Sequence, residues 1–440
     1  MPRNLPGMYW DEERKRYFPL SSAPPHYKER ADCTRFPHPE AQQEVTYSEG
    51  EKNTTSCIRD APHQILAHLR STFSTTQKDR LTHRLRCSQF TLTDKVERSD
   101  IPFVSPRGHI TAFQTICHSG RVWRFSGDSL GWFYSYVDNR KNEEAGIFTS
   151  HDWQTESHLS SEARATVSSI CVDDSKCIAA SFGPDCRILH LPLDSVADDI
   201  HTSVIEISRI DSRIACDVWT ADLQGSRLIL GANKQAVCID DISERAAVYP
   251  LPTGSDVFAV AQQEQIIYTG LRNGSILRFD NRLWKPRGDA LLDGLFTQSS
   301  NSVTNLRLLR DSQLLVVNID GSISIFDLRF LTSRTPFKIL TGNVNSYFIK
   351  MPIAVDSSEE VLFAAGQDSR IRLWSLRSGG PPLTPSSNVT IPKPYRRDLL
   401  EYQFEHPVRS MQLSEDENGM NLWAASGYDL FKYSLGQRIS

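Results

Sequence analysis

Three arginines recur at matching places in this chain. Phe279-Asp280-Asn281-Arg282, Phe326-Asp327-Leu328-Arg329 and Trp374-Ser375-Leu376-Arg377 each follow an apolar run. Their aromatic residues lie 47 and 48 positions apart. In an extended chain residues i and i+2 share a side, so Asp280 sits beside Arg282 and Asp327 beside Arg329. A guanidinium presents planar paired donors, and a row of them suits bidentate capture of carboxylates on a flat partner. The alternative is that each arginine pairs with its own aspartate and seals the end of its strand.

No catalytic constellation competes with this one. His109 and His118 flank a strand-like run, and His151 and His158 lie in a loop, without metal-ligand spacing. Phosphate-binding glycine loops, dinucleotide fingerprints and nucleophile elbows are absent from the sequence. Asp174, Asp185 and Asp194 fall at turn-like positions, where the short carboxylate bonds its own backbone. The expectation is no enzyme, no metal and no cofactor.

The elements that carry the arginines are legible in 302–329. Val303–Leu309, Leu314–Asn318 and Ser322–Phe326 read as three strands, split by Arg310-Asp311-Ser312-Gln313 and by Asp320-Gly321. Asp-Gly favours a tight hairpin because glycine accepts the positive φ it needs. Such a meander cannot bury its apolar face alone and requires neighbours of its own kind. Copies occur at 255–282 and 351–377, weaker ones at 109–137, 167–193 and 213–241, and a last at 408–435. Seven units with a period of ~40–45 residues or slightly more, with turns leading into strands that end in Trp or Phe-Asp, predict an all-β, seven-bladed WD-repeat β-propeller over 85–440. The last unit lacks an outer strand, and Leu85–Thr91 is expected to supply it and close the ring.

Ahead of the propeller, 1–20 is an aromatic and basic motif containing Tyr9, Trp10, Tyr17 and Phe18, too apolar for a solvated arm and suited to a small aromatic hairpin or a docking peptide. Residues 21–60 have the composition of a disordered segment. Residues 61–84 read as short helices: Ile65, Leu66, Leu69 and Phe73 fall at helical spacing after Pro62, and a second piece runs over Thr76–Leu85. An isolated helix of this length must pack on the propeller or in a groove of another protein.

The formal net charge of −4 argues against a general nucleic-acid binder, and no apolar run suits a membrane helix. The first residues lack a secretory h-region, and nine scattered cysteines, Cys171, Cys177 and Cys238 among them, read as buried thiols in a reducing nucleus or cytoplasm.

The stretches LPGMYWDEERKRYF, SDVFAVAQQ with GLRNGSILRFDNR, SVTNLRLLRDSQ with DGSISIFDLR, GNVNSYF with AAGQDSRIRLWSL, and GYDLFKYSL resemble the WD-repeat cullin-4-associated factor 4 family, over about a quarter of the chain. That resemblance implies a non-enzymatic substrate receptor of a cullin-4 RING ubiquitin ligase. Its partners would be the ligase's triple-propeller adaptor, the larger subunit of the damaged-DNA-binding protein, and an unknown protein substrate. It assigns adaptor contact to Arg282 and Arg329, with Asp280 and Asp327 orienting them and Arg377 a weaker third. It also makes Ile65, Leu66, Leu69 and Phe73 a helix inserted between adaptor propellers. Phe replaces the usual Trp in two boxes, Asn281 is an unusual third residue, and Ser375 stands where Asp is expected. The competing expectation is a WD scaffold for another complex that reads a peptide at its central channel.

Overall fold

Period and alternation build what they imply. The computed structural model describes residues 8–11, 16–19 and 75–435, except 92, 140–152, 160–164, 174, 194–204, 243–246, 284–285, 294–300, 331–334, 346–349, 385–398 and 417–418. The chain divides into two units, Met1–Thr72 and Phe73–Ser440. In the first, Met8–Asp11 and Arg16–Pro19 form an antiparallel hairpin in which Trp10 faces Tyr17 across the ladder. The expected helix bearing Ile65, Leu66, Leu69 and Phe73, and the segment 21–60, lie outside the described residues.

The second unit is a seven-bladed propeller of antiparallel sheets. Blade 1 comprises Ile110–His118, Arg121–Asp128, Trp132–Asn139 and Trp153–His158. Blade 2 comprises Thr166–Asp173, Lys176–Phe182, Arg187–Pro192 and Glu206–Arg209, and blade 3 Thr220–Gln224, Arg227–Gly231, Gln235–Ile239 and Val248–Pro252. Blade 4 has Val257–Gln263, Ile266–Leu271, Ile276–Asp280 and Asp289–Leu292; blade 5 has Val303–Leu309, Gln313–Asn318, Ile323–Asp327 and Lys338–Leu340. Blade 6 shows Ile353–Val355, Val361–Ala365 and Ile371–Ser375 among the described residues. Blade 7 takes Val408–Asp416, Gly419–Ser426 and Asp429–Leu435 from the end of the chain, and its outer strand from Thr93–Asp100.

The ring therefore closes as expected, but not with Leu85–Thr91. That stretch belongs mostly to a helix, α1 (Thr75–Phe90), which continues past the expected end at Leu85. The closing strand, TDKVERSD, pairs from Asp100 opposite Asp429 to Thr93 opposite Leu435. It carries five charged residues because an outermost strand meets solvent along its free edge, and charge there discourages further strand addition. His83, Cys87 and Phe90 recur at helical spacing and put one face of α1 against the propeller. Cys87 is buried in a cluster with Met351, Phe363, Phe404 and Phe431, from blades 6 and 7 and the connections before and between them, and Phe90 packs against it.

Each interblade core draws on two neighbouring blades; Tyr268 and Ile276 of blade 4, for example, pack with Leu314 and Phe326 of blade 5. Close approach of blades depends on glycines in the second strands. A Cβ built on Gly270 lies 2.5 Å from Cγ1 of Val303, the first residue of the next blade. Gly231 stands in the same relation to Val257 and Gly127 to Val167. Glycine inside a strand marks such an approach. Gly270→Ala is expected to lower stability by about 1–3 kcal/mol through overpacking, read as a lower melting temperature with an unchanged circular dichroism spectrum.

Candidate functional site

In every blade the turn after the first strand and the connection after the third lie on one face, because strands alternate in direction. The turn after the second strand and the connection into the next blade lie on the opposite face. Arg282 and Arg329 both follow third strands and share the first of these faces.

Their local geometry is nearly identical. Arg282 Nε donates to Asp280 Oδ1 at 2.9 Å and Nη2 to Oδ2 at 2.5 Å, and the Arg282 amide donates to Oδ1 at 3.1 Å. Arg329 repeats this on Asp327 at 3.0, 2.7 and 3.0 Å. The pairing holds both carboxylates low: the Arg282 guanidinium brings Asp280 down to about 2, and Arg329 lowers Asp327. Each arginine is thus tied to its own aspartate, as the alternative reading of the motif required. Yet both side chains remain exposed, 70% and 63%. A guanidinium has five N–H donors, so three are left on each for a partner. Each arginine is followed by an exposed apolar residue, Leu283 and Phe330, and Phe337 just before blade 5's outer strand and Ile339 within it are exposed too.

Arg377 differs. With Ser375 in place of an aspartate it makes no such pair, and Nη1 instead donates to the carbonyl of Asp79 on α1 at 3.5 Å. Ser375 is buried and its hydroxyl lies 2.8 Å from Nε2 of His83, while Arg86 Nη1 donates to Glu360 and Ser358, both at 3.3 Å. The third box also seats α1, so Arg377, the weaker third candidate, follows a third strand like the other two but has a helix against it. The substitution at 375 was visible in the sequence, but its reason lies in a helix whose seat only the fold reveals.

Asn281 also has a reason. Its amide nitrogen donates to Asp240 at 3.1 Å and its carbonyl accepts from the Tyr249 hydroxyl at 2.5 Å, so the blade 4 box is fastened to blade 3. At the equivalent position of blade 5, Leu328 packs instead in the apolar core. Asn281→Leu should remove both bonds to blade 3 while Tyr249 keeps donating to the exposed Asp240 at 2.8 Å, a net cost of about 0.5–1.5 kcal/mol per lost bond, measured by thermal unfolding.

Of the thiols, Cys177 and Cys238 are buried, whereas Cys171 is half-exposed. Across the channel wall, first strands are stitched through side chains: Gln262 donates to the Asp222 carbonyl at 3.0 Å and its own amide donates to the Asp222 carboxylate at 3.0 Å. Burial there pushes Asp222 up to about 6, against an unfolded value near ~4. The folded state then holds a proton that the unfolded state has released. Stability contributed by the protonated group is full below about 4 and is lost as pH rises through about 6. Asp222→Asn should raise the melting temperature relative to the native chain at pH 7.5 and leave it equal at pH 4. Among the described residues no group of His, Cys, Asp and Glu could hold a metal ion, and no helix is long and apolar enough to cross a membrane.

The blades, their closure and the paired box residues define a seven-bladed propeller of the WD type. The fold of Raptor from Chaetomium thermophilum is similar, with a TM-score of 0.53 at 15% identity over 89% of this chain and 33% of that one. The family model of the DDB1- and CUL4-associated factor 4 β-propeller domain matches residues 184–434, more than half the chain and inclusive of both Asp-x-Arg boxes, and the chain belongs to that family. Human DDB1- and CUL4-associated factor 4 is 24% identical over 458 residues, covering 98% of this chain and 86% of its own length. Human DDB1- and CUL4-associated factor 4-like protein 2 is 31% identical over 193 residues, 42% of this chain and 44% of that protein.

Proposed function

We propose that this protein is a non-enzymatic receptor that presents a protein substrate to a cullin-4 RING ubiquitin ligase, holding the ligase's triple-propeller adaptor on the face that carries Arg282 and Arg329. The names of its relatives state association with DDB1 and CUL4, and family membership supports the same role here. The observation that carries the reading is the doubled arrangement of an exposed guanidinium, pre-oriented by its own aspartate and followed by an exposed apolar residue. Orientation in advance reduces the rotamer entropy lost on binding, and arginine ringed by apolar surface is the usual composition of an interface centre. Asp280 and Asp327 orient, Arg282 and Arg329 contact the adaptor, and Leu283 and Phe330 supply apolar area. Arg377 contributes through the position of α1. The segment containing Ile65, Leu66, Leu69 and Phe73 is assigned to the same interaction on the family resemblance.

The test is capture of the purified adaptor by the full chain and by Arg282→Ala, Arg329→Ala and Arg377→Ala. The first two should weaken capture more than the third. Equal capture by all four would remove this face from the interaction.

A further inference from the structure

The face opposite Arg282 and Arg329 carries a second built surface at the mouth of the central channel. Two adjoining cavities of about 510 and 420 Å³ share Trp219 and Lys350 in their walls. Five blades contribute to them through one device. In blades 1, 2, 4, 5 and 7 the ladder between first and second strands slips near its start, leaving Thr111, Ser168, Phe258, Thr304 and Arg409 unpaired. All five of these bulge residues line the cavities. A bulge re-aims the side chain it releases, so the slips concentrate side chains at the mouth.

The result is an aromatic ridge beside unmatched positive charge. Trp219 is 37% exposed and packs between Phe182 and Phe258, with ring centroids 4.5 and 4.9 Å away. The Lys350 ammonium donates to the Phe258 carbonyl at 3.2 Å and has no carboxylate partner among the described residues; neither has Arg409. Neither cavity has an aspartate or glutamate in its wall. Of the nearby carboxylates, Asp256 is taken by Arg272 at 3.2 Å, and Asp128 accepts from the amides of Leu130 and Trp132 and the hydroxyl of Tyr134. Enclosure by the channel wall lowers both cations, Lys350 to about 8 even though its side chain reaches solvent, and no carboxylate offsets the shift. An accessible cation without a carboxylate partner, beside an exposed indole, is complementary to an acidic side chain next to an aromatic or aliphatic one.

We propose that the channel mouth around Trp219, Lys350 and Arg409 docks an acidic segment of a partner protein, in which aspartate or glutamate neighbours an aromatic or aliphatic residue. Under the receptor reading, on which its biological meaning rests, this segment belongs to the substrate, and substrate and adaptor occupy opposite faces.

The experiment is fluorescence anisotropy of the full chain with two pools of short labelled peptides of equal aromatic and leucine content, one bearing glutamate and the other lysine at the remaining positions. The acidic pool should bind and the basic pool should not. Trp219→Ala, Lys350→Glu and Arg409→Glu should each weaken binding about tenfold, and Lys350→Gln and Arg409→Gln by less, in proteins that melt like the native chain. The same variants should capture the adaptor undiminished. Equal binding of the two pools, absence of binding to a folded chain, or acidic binding unchanged by all the substitutions would overturn the proposal. So would equally tight binding of a glutamate pool lacking apolar residues, or of a short DNA strand in its place. Acidic binding with no adaptor capture would keep this site and remove the receptor reading alone.

Discussion

A chain beginning at residue 101 is expected to lose the cooperative folding that one beginning at residue 75 retains. The shorter chain lacks Thr93–Asp100, which pairs at seven positions with Asp429–Leu435. It also lacks α1, whose Cys87 and Phe90 cover the blade 6 and 7 core. Ladder hydrogen bonds contribute about 0.5–1.5 kcal/mol each net, so the strand alone supplies several kcal/mol. Domains of ordinary size are stable by only about 5–15 kcal/mol. The cut also leaves Asp429–Leu435 as an unpaired edge, which invites association between copies. Thermal melting and size-exclusion chromatography of both chains check this. Aggregation or a broad, early transition of the shorter one is the expected result, and matching melts would mean that closure contributes little.

That closure illustrates what the sequence disclosed and what it hid. The strands around Gly321 could be read almost to the residue, because both faces of inner strands are buried and the runs between their turns are dense in Val, Ile and Leu. Their period located the seven blades. The outer strand was misplaced by some eight residues because Lys95, Glu97 and Arg98 give a solvent-edge strand no apolar signature, whereas Leu85, Cys87 and Phe90 looked strand-like while lying along α1. The Asp-x-Arg pairs were legible from i, i+2 spacing alone. The partners of Asn281 and Ser375 were not, since Asp240, Tyr249 and His83 lie 32 to 292 residues away in sequence. The channel mouth was equally hidden: a one-residue slip in a ladder leaves no mark in composition.

Replacing both rim arginines should have the largest effect on association. Central arginines in interfaces commonly cost about 2 kcal/mol or more when truncated to alanine, and the two sit in separate blades with separate aspartates. If the losses add, the pair costs about 4 kcal/mol, close to a thousandfold in affinity. Stability should change little, because both ion pairs are exposed and such pairs contribute little to folding. Arg209 provides the control. It is exposed and pairs with Asp185 at 2.6 Å, but it ends the fourth strand of blade 2 and so lies on the other face. Arg209→Ala should leave adaptor affinity as it is.

The most direct measurement is a titration of purified triple-propeller adaptor against the full chain, against Arg282→Ala/Arg329→Ala and against Arg209→Ala, each with its melting curve. The receptor account predicts saturable binding by the native chain and by Arg209→Ala, and a loss of about a thousandfold in the double variant with an unchanged melt. Undiminished affinity in a folded double variant, or no binding by the native chain, would contradict it.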